Sequence, residues 1–181
     1  LLMQELGGAF DDQTEERAAV YLTNALTGWT PTKEPKLTFM QELEDERDAA
    51  NAVKQQRRIL VVLGNPPYDG LAEIAVAEER DLSEAYRTKQ NPACPVPQGQ
   101  GLNDLYVRFF RMAERQISER TGEGIVCFIS NYSWLDGLSH PGMRERFLGA
   151  FDEVTVDCLN GDKYKTGKLT PTGEPDPSVF S

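Results

Sequence analysis

Blocks of apolar and polar residues alternate along the chain and predict strands and helices in turn. Residues 59–64 (ILVVLG) and 125–130 (IVCFIS) are continuous apolar runs, typical of strands that are covered on both faces. Between them, residues 102–120 carry apolar side chains at helical spacing, and Asn103 or Asp104 is a candidate cap. This order of strand, helix and strand is typical of a mostly parallel α/β sheet with flanking helices.

The remaining segments predict further helices and strands on either side of these runs. They are a helix over 38–58, one or two helices over 71–90, a short helix over 141–150, and strands over 18–24 and 151–159. Thr38 is the candidate cap of the first helix, and Pro141 lies near the first turn of the last. The loop at 90–101, with three prolines, is either a surface connection or a lid beside a site.

Composition and charge limit the classes of protein that fit. A chain of 181 residues with 39% hydrophobic and 27% charged residues is ordinary for one soluble globular domain. The formal net charge of −10 argues against a nucleic-acid footprint over the whole surface, but not against a nucleic-acid enzyme whose basic groove lies elsewhere. In the polar segment 160–178, Lys163, Lys165 and Lys168 either contact phosphates or are solvated.

The cysteines indicate a reducing compartment. Cys94, Cys127 and Cys158 are widely spaced and form no CxxC pair. Neither a disulfide framework nor a zinc site is therefore expected, no metal site is predicted, and the expected location is cytoplasmic. No apolar stretch has the length of a membrane span, so no membrane segment is expected.

Other polar residues near the strand ends offer little chemistry. Ser130, Ser133 and Asp136 lie near the end of the second apolar run and are candidates to line a crevice, but they include no nucleophile–base pair. His140, the single histidine, precedes Pro141 and is predicted to be a helix-start or surface residue.

A tetrapeptide with a restricted backbone follows the first apolar run: Asn65-Pro66-Pro67-Tyr68. If that run is a strand of a parallel sheet, its carboxyl end faces the crevice in which α/β proteins bind ligands. Each proline fixes its own φ, Pro67 also restricts Pro66, and Gly64 leaves room for another group. We expect the Asn65 side-chain oxygen and the Pro66 carbonyl to form a rigid pair of hydrogen-bond acceptors beside the Tyr68 ring.

Such a pair of acceptors suits the planar amino group of a nucleic-acid base. The lone pair of an exocyclic amine is conjugated into its ring, so the amine is a poor nucleophile. Two fixed acceptors bind both N–H groups, favour a more tetrahedral nitrogen and direct its lone pair at an electrophile. Tyr68 is then placed to stack on the base, which reaches the pocket from a duplex only if it is flipped out. A simple proline-rich turn at the end of a strand is the other interpretation.

The segments around this tetrapeptide resemble a known family of enzymes. VVLGNPPY (61–68) looks like the catalytic motif of amino-methyltransferases with the class I Rossmann-like fold, especially N6-adenine DNA methyltransferases. LNDLYVRFFRMAERQI with GIVCFISNYSWL resembles the helix and strand after that motif in the γ-type arrangement. Together with VYLTNALTGW and LNGDKYKTGK, these segments look like the methyltransferase region of single-polypeptide Type ISP restriction–modification enzymes.

The resemblance implies roles for particular residues. Asn65, Pro66 and Tyr68 correspond to the residues that hold the target adenine, with Pro67 as their support. Asn24 lies where related enzymes often place an aspartate against the adenine ring of S-adenosyl-L-methionine, so it either contacts the cofactor or is a turn residue after a strand. Double-stranded DNA is the implied partner and S-adenosyl-L-methionine the implied cofactor.

The resemblance also implies an incomplete catalytic domain. A complete enzyme of this kind has a glycine-rich turn after its first strand and an acidic residue at the end of its second, and we find neither unit in the sequence. We expect residues 1–181 to be the C-terminal part of the catalytic domain, with the first strands before residue 1 and the target-recognition domain also outside this sequence. Such a fragment is expected neither to methylate DNA nor to bind the cofactor tightly on its own.

Two alternatives remain open from the sequence. Glutamine and RNA methyltransferases carry the same tetrapeptide, so the amine is either on a nucleic-acid base or on a protein side chain. A non-catalytic binding or assembly module with this fold is the second alternative, and the acidic charge favours it slightly.

Overall fold

The computed structural model describes residues 20–31, 40–68 and 77–157, which belong to two compact units. Unit 1 contains the described residues among 20–24 and 28–57, and unit 2 contains 25–27 and the described residues from 58 onwards. Unit 1 is built on one helix, and unit 2 carries a small parallel sheet with helices around it.

Unit 1 is organised by helix α1, Gln41–Gln56. Glu42 and Glu44 lie in its first turn and Lys54 in its last, as expected for charges that complement the helix dipole. The predicted helix is confirmed in this range, whereas its predicted cap, Thr38, lies outside the described residues.

The segment before α1 is held by the last turn of that helix. Lys54, which is 7% exposed, donates to the Thr23 hydroxyl at 2.8 Å and to the Asn24 carbonyl at 2.7 Å. Lys54 Nζ also lies 5.9 Å from the centre of the Trp29 ring, within reach of a cation–π interaction. The strand predicted here is wrong for residues 20–24, because this stretch is tied to a lysine side chain and forms no ladder.

Unit 2 runs from strand β1 to helix α5. Its elements are β1 Val61–Gly64, α2 Ala77–Glu84, a 3₁₀ turn Gly101–Asn103, α3 Leu105–Glu114, a π-helical segment Arg115–Thr121, β2 Ile125–Phe128, α4 Ser133–Asp136 and α5 Pro141–Ala150. Helices are thus confirmed in each segment that predicted one, and Pro141 occupies the first turn of α5 as expected. The predicted irregular loop is confirmed up to the 3₁₀ turn.

The two strands pair in parallel, as the order of elements predicts. Val61 pairs with Ile125 and Gly64 with Phe128, so both strands end at the same level. The Ile129 amide continues the ladder with a 3.0 Å hydrogen bond to the Gly64 carbonyl. The residues that follow β1 and β2 therefore meet at one edge of the sheet.

Among the described residues, the sheet is covered on one face, whereas the continuous apolar runs predicted cover on both. Val61, Leu63 and Ile125 are 52%, 74% and 63% exposed. On the other face, the Phe128 ring packs against Phe110 of α3, with 5.1 Å between ring centres. An apolar run indicates that both faces of a strand suit burial, but whether a second layer covers them depends on other parts of the chain.

Residues 151–157 after α5 form no strand, so the strand predicted there is wrong in its described part. Val154 and Val156 are 41% and 48% exposed. Strand composition alone does not create a ladder, because each main-chain group needs a partner beside it. Within the described residues, pairing is confined to β1 and β2.

The core of unit 2 is largely aromatic and centres on α3. The Phe110 ring lies 5.8 Å from the Trp134 ring and 5.4 Å from the Phe147 ring. The buried members of this cluster are Tyr86, Leu102, Tyr106, Val107, Trp134, Met143 and Phe147. The aromatic stripe of the predicted helix is therefore core, as expected.

A group of polar side chains around the buried Glu114 joins α3 to α5. We call Glu114 with Tyr86, Arg111, Glu119 and Arg146 the Glu114 cluster. Glu114 is 1% exposed and accepts from Tyr86 Oη at 2.7 Å, Arg111 Nη1 at 2.9 Å and Arg146 Nε at 3.0 Å. Burial and the Glu114 carboxylate raise the pKa of Tyr86 well above its usual value, so the phenol remains a donor. Glu119 pairs with both arginines, at 2.7 and 3.0 Å.

The helix that begins as α3 widens into a π-helix at Arg115–Thr121. Gly122 ends it with a φ of 79°, and its amide donates to the Ile117 carbonyl at 2.8 Å. Gly124 has a φ of 140°, and a Cβ there would lie 2.3 Å from the Leu60 carbonyl oxygen. These two glycines lead the chain from the helix into β2.

In the part of the chain that the structure describes, no helix is long and apolar enough to cross a bilayer. The same residues contain no group of three or more His, Cys, Asp or Glu arranged to hold a metal ion. Cys94 and Cys127 are free thiols, and Cys158 lies outside the described residues.

Candidate functional site

Residues 65–68 lie at the edge of the sheet where β1 and β2 both end. Asn65 and Ile129 are the first residues after the two strands. Pro66 is buried, whereas Asn65 and Pro67 are exposed. The tetrapeptide is therefore anchored through its first proline and presents the Asn65 side chain at the carboxyl edge, the place where parallel sheets bind ligands.

The Tyr68 hydroxyl joins the ends of the two strands. Its oxygen lies 3.1 Å from Asn65 Oδ1 and 3.1 Å from the Ile129 carbonyl oxygen. A phenol has one O–H proton, so it donates fully to only one of these acceptors at a time. The single O–H group of Tyr68 therefore cannot fully satisfy both acceptor oxygens at the same time.

The Tyr68 ring stands on a buried aromatic residue. The ring is 49% exposed and meets Tyr106 edge to face, with 6.3 Å between ring centres. Tyr106 is 1% exposed, and its hydroxyl oxygen lies 3.0 Å from His140 Nε2. The exposed Tyr68 ring therefore packs on Tyr106, whose own orientation is fixed by its hydrogen bond to His140.

Burial sets the protonation of these groups. Burial, followed by the Asp104 carboxylate, raises the pKa of both Tyr68 and Tyr106, so both phenols are protonated at neutral pH. Burial, followed by the positive charge of Arg144, lowers the pKa of His140 and keeps its imidazole neutral there. The direction of the hydrogen bond between the Tyr106 hydroxyl and His140 Nε2 depends on the tautomer of the neutral ring.

The structure adds an acceptor that the sequence did not predict. Asn65 Oδ1 was expected to act with the Pro66 carbonyl, and that pairing stays a prediction. The acceptor that shares the Tyr68 hydroxyl with Asn65 is the carbonyl of Ile129, which lies 61 residues further along the chain than Tyr68. The end of the second apolar run was the available signal, since parallel strands end at one edge.

Packing among the described residues does not explain the glycine before the tetrapeptide. A Cβ on Gly64 would lie 3.8 Å from the Phe128 ring, which is an ordinary contact. Room for a group outside the described residues remains the predicted reason for glycine at this position.

His140 is a helix-start residue as predicted, but it is not on the surface. It precedes Pro141 at the cap position of α5 and is 3% exposed. A lone histidine before a proline gives no sign of burial, because its partner Tyr106 is 34 residues away.

The other candidates near the edge take part in a turn. Ser130 donates to the Asn131 carbonyl at 3.0 Å, and Asn131 Oδ1 accepts from the Ser133 amide at 3.1 Å. Ser133 and Asp136 are exposed on α4. The two serine contacts shape the connection between β2 and α4, and their predicted place along a crevice stays a prediction.

The remaining predicted site residues lie in other parts of the chain. Asn24 belongs to unit 1, is exposed, and uses its carbonyl to accept from Lys54. Its contact with a cofactor stays a prediction. The three basic residues proposed to meet phosphates lie outside the described residues: Lys163, Lys165 and Lys168.

Within the described residues, neither β1 nor β2 is followed by a glycine-rich turn, and residues 65–68 and 129–132 include no carboxylate side chain for a ribose. What this edge offers is acceptor oxygens and an aromatic ring, a set that suits a ligand with N–H donors.

A family of known proteins matches most of this chain. The model of the Eco57I restriction-modification methylase family matches residues 8–153, well over half of the chain. The chain belongs to this family. The parallel sheet with flanking helices is accordingly a partial Rossmann-like methyltransferase fold, as predicted. The finer γ-type and Type ISP assignments stay predictions.

This Eco57I-family chain was also compared with solved structures and with curated proteins. A cryo-EM structure of a DrdV–DNA complex is similar over 61% of this chain and 11% of that chain, at 29% identity and a TM-score of 0.46. The chain thus spans about a tenth of the length of that protein. No curated protein shows a significant match.

Proposed function

We propose that this chain is the target-binding part of an S-adenosyl-L-methionine-dependent methyltransferase that modifies N6 of adenine in DNA. Membership of a restriction-modification methylase family supports methyl transfer to DNA. The observation that carries the adenine assignment is the exposed Asn65 side-chain oxygen beside the half-exposed Tyr68 ring, at the carboxyl edge of a parallel sheet.

In this proposal the chain's own residues hold and orient the amine. Asn65 Oδ1 and the Pro66 carbonyl accept from the two exocyclic N–H groups, which favours a more tetrahedral nitrogen and directs its lone pair at the electrophile. Tyr68 stacks on the flipped adenine, an interaction worth about 1–3 kcal/mol per base. The cofactor, when bound, supplies an electrophilic methyl group.

The proposal places the cofactor pocket and the target-recognition domain outside the described residues. Its support is the set of acceptor oxygens and the aromatic ring at the strand ends, which suit an amine and not a methionine or a ribose. The net charge of −10 also means that most duplex contacts come from another part of the enzyme. Calorimetric titration of the chain with S-adenosyl-L-methionine is expected to show no micromolar binding, and such binding would contradict this division.

A labelled-methyl assay tests the activity in the protein that joins these residues to their upstream coding sequence. Plasmid DNA, total RNA and protein are offered separately, and digested products are identified by mass spectrometry. Label is expected in N6-methyladenine of DNA. Label in cytosine, in RNA or in glutamine would contradict the proposal.

Variants of Asn65 separate the acceptor from the fold. Asn65→Ala removes the oxygen and is expected to lower kcat about 10²–10³-fold, the usual cost of losing one oriented hydrogen-bond partner at a reacting group. Asn65→Asp keeps an oxygen at the same place and is the matched control, with activity expected within about tenfold of the parent. Equal loss in both variants would show that the acceptor is not the cause.

A further inference from the structure

We propose that His140 is a positioning residue for the stacking of the target base: through Tyr106, it sets the plane of the Tyr68 ring. In this role His140 acts through its neighbour and does not touch the base. The inference rests on the proposed function, and it gives a role to the single histidine of the chain, which the proposed reaction does not use.

The first support is a continuous set of contacts from the histidine to the exposed ring. His140 Nε2 lies 3.0 Å from the Tyr106 hydroxyl oxygen. The Tyr106 ring meets the Tyr68 ring edge to face, with 6.3 Å between ring centres and 62° between the ring planes. Edge-to-face pairs have a preferred geometry, so a rotation of the Tyr106 ring changes the orientation that the Tyr68 ring prefers.

The second support is that the imidazole has little room to move. His140 is 3% exposed. A Cβ on Gly101 would lie 2.9 Å from its Cε1, and a Cβ on Gly137 would lie 2.9 Å from its Nδ1. Because both neighbours are glycines, the main chain approaches the imidazole at two places. The ring therefore offers the Tyr106 hydroxyl a partner at a fixed point.

The third support is that the turn carrying His140 is bonded to the end of the proline-rich loop. The Gln98 amide donates to the Leu138 carbonyl at 2.9 Å. The Gly101 amide donates to the Ser139 hydroxyl at 3.2 Å. Since both bonds involve the two residues directly before His140, they fix the position from which its side chain enters the core.

The fourth support is the cost of a polar ring at this buried position. Burying a polar group is unfavourable unless it is hydrogen-bonded, whereas an apolar side chain of similar size fills a core without needing a partner. Apolar packing alone defines the orientation of core side chains less sharply than a buried hydrogen bond between them does. The bond between His140 and Tyr106 therefore adds a defined orientation, which a stacking surface requires.

Variants of the two residues separate the orientation of the Tyr106 ring from its presence. Tyr106→Phe removes the hydroxyl and keeps the ring, and His140→Leu removes the partner of that hydroxyl. Each is expected to lower the preference for adenine about fivefold, the lower end of what stacking of one base contributes. The double variant is expected to lose no more than either single variant, because both changes remove the same bond. His140→Gln keeps a hydrogen-bonding group near the position of Nε2 and is expected to restore most of the preference.

The binding probe is a fluorescein-labelled single-stranded oligothymidine with one central adenine, compared by anisotropy with the same strand carrying an abasic site there. The full chain is used at one low salt concentration. Tyr86→Phe is the matched control, because it removes a buried hydroxyl of the same core that bonds to Glu114 instead. It is expected to keep the preference of the parent. An unchanged preference in Tyr106→Phe, an equal loss in Tyr86→Phe, or additive losses in the double variant overturns the proposal.

A measurement without any ligand distinguishes failure of the positioning role from failure of the proposed function. In the chain with ¹³C-labelled tyrosine rings, the ring signals of Tyr68, identified by their loss in Tyr68→Leu, are expected to shift in Tyr106→Phe and in His140→Leu. They are expected to return towards the parent values in His140→Gln. No shift overturns the positioning role, whatever the binding results are. Shifts in a chain whose parent binds the adenine and abasic strands equally overturn the proposed stacking of adenine and, with it, the role of His140 in that stacking.

Discussion

Neutralising Glu114 is expected to destabilise unit 2 by about 3 kcal/mol. The perturbation is Glu114→Gln, which keeps the shape of the side chain and one acceptor oxygen but removes the charge. Glu114 is 1% exposed and accepts from Tyr86, Arg111 and Arg146. The variant therefore leaves two guanidinium groups facing a neutral amide at a buried position.

The magnitude follows from what remains in the Glu114 cluster. Breaking a buried ion pair by removing one partner costs about 3–5 kcal/mol, because the other charge is left uncompensated. Here Glu119 still pairs with both arginines, at 2.7 and 3.0 Å, so the lower end of the range applies. Against a typical domain stability of about 5–15 kcal/mol, such a loss is large.

Two further variants calibrate this value. Glu119→Gln removes a carboxylate whose side chain is 43% exposed, and it is expected to cost less than about 1 kcal/mol. Tyr86→Phe removes one donor to Glu114 and is expected to cost about 1 kcal/mol. Combining it with Glu114→Gln should cost less than the sum, because both changes remove the same hydrogen bond.

Urea unfolding measures these differences in unit 2 separately from unit 1. Trp134 packs against Phe147 with 5.4 Å between ring centres, so its fluorescence reports the core next to the cluster. A Trp29→Phe background removes the tryptophan of unit 1. A Glu114→Gln chain within about 0.5 kcal/mol of its background would refute the reasoning. Equal costs for Glu114→Gln and Glu119→Gln would show that burial is not the cause.

Other predictions concern pH, backbone geometry and unit 1. Burial lowers the pKa of His140, so below about pH 6.5 the imidazole is protonated more readily in the unfolded chain than in the folded one. The free energy of unfolding therefore falls as the pH drops below that value, by at most about 1.4 kcal/mol per pH unit. The urea midpoint, measured between about pH 7.5 and about pH 5, should depend less on pH in His140→Gln than in the parent chain. An unchanged dependence on pH would contradict the role given to His140. Gly122→Ala meets open space and should cost about 1–2 kcal/mol, whereas Gly124→Ala meets the Leu60 carbonyl and should lower Tm further; equal Tm values would contradict the contact. Lys54→Met should lower the free energy of unfolding of unit 1 by about 1 kcal/mol, measured by Trp29 fluorescence. An unchanged value would show that the hydrogen bonds from Lys54 to Thr23 and Asn24 do not stabilise unit 1.

Local patterns were sufficient for the helices and for the pairing of the strands. Residues 102–120 have an amphipathic period, and the two apolar runs flank them, so a parallel pair follows from the sequence. Local patterns gave wrong predictions where a strand needs a neighbouring strand as its hydrogen-bonding partner. Val154 and Val156 have strand composition, yet they are exposed and form no ladder.

The same distinction applies to the candidate site. The position of residues 65–68 follows from the strand before them and from the restricted backbone of the two prolines. The partners of the tetrapeptide do not follow from it. Ile129 lies 61 residues from Tyr68, and the buried His140 lies 34 residues from Tyr106, so only the packed fold brings these groups together.

The π-helical segment Arg115–Thr121 has a consequence for how the length of this chain can vary. A π-turn contains one residue more than an α-turn, so this segment accommodates an additional residue without interrupting the helix. A one-residue deletion there would tighten the turn to α-helix while α3 and β2 keep their places. The same deletion inside α3 would rotate the arginines and aromatic residues of one half out of the core. Members of the family that differ by one residue between α3 and β2 can therefore keep the pairing of Gly64 with Phe128, and with it the edge that carries the site.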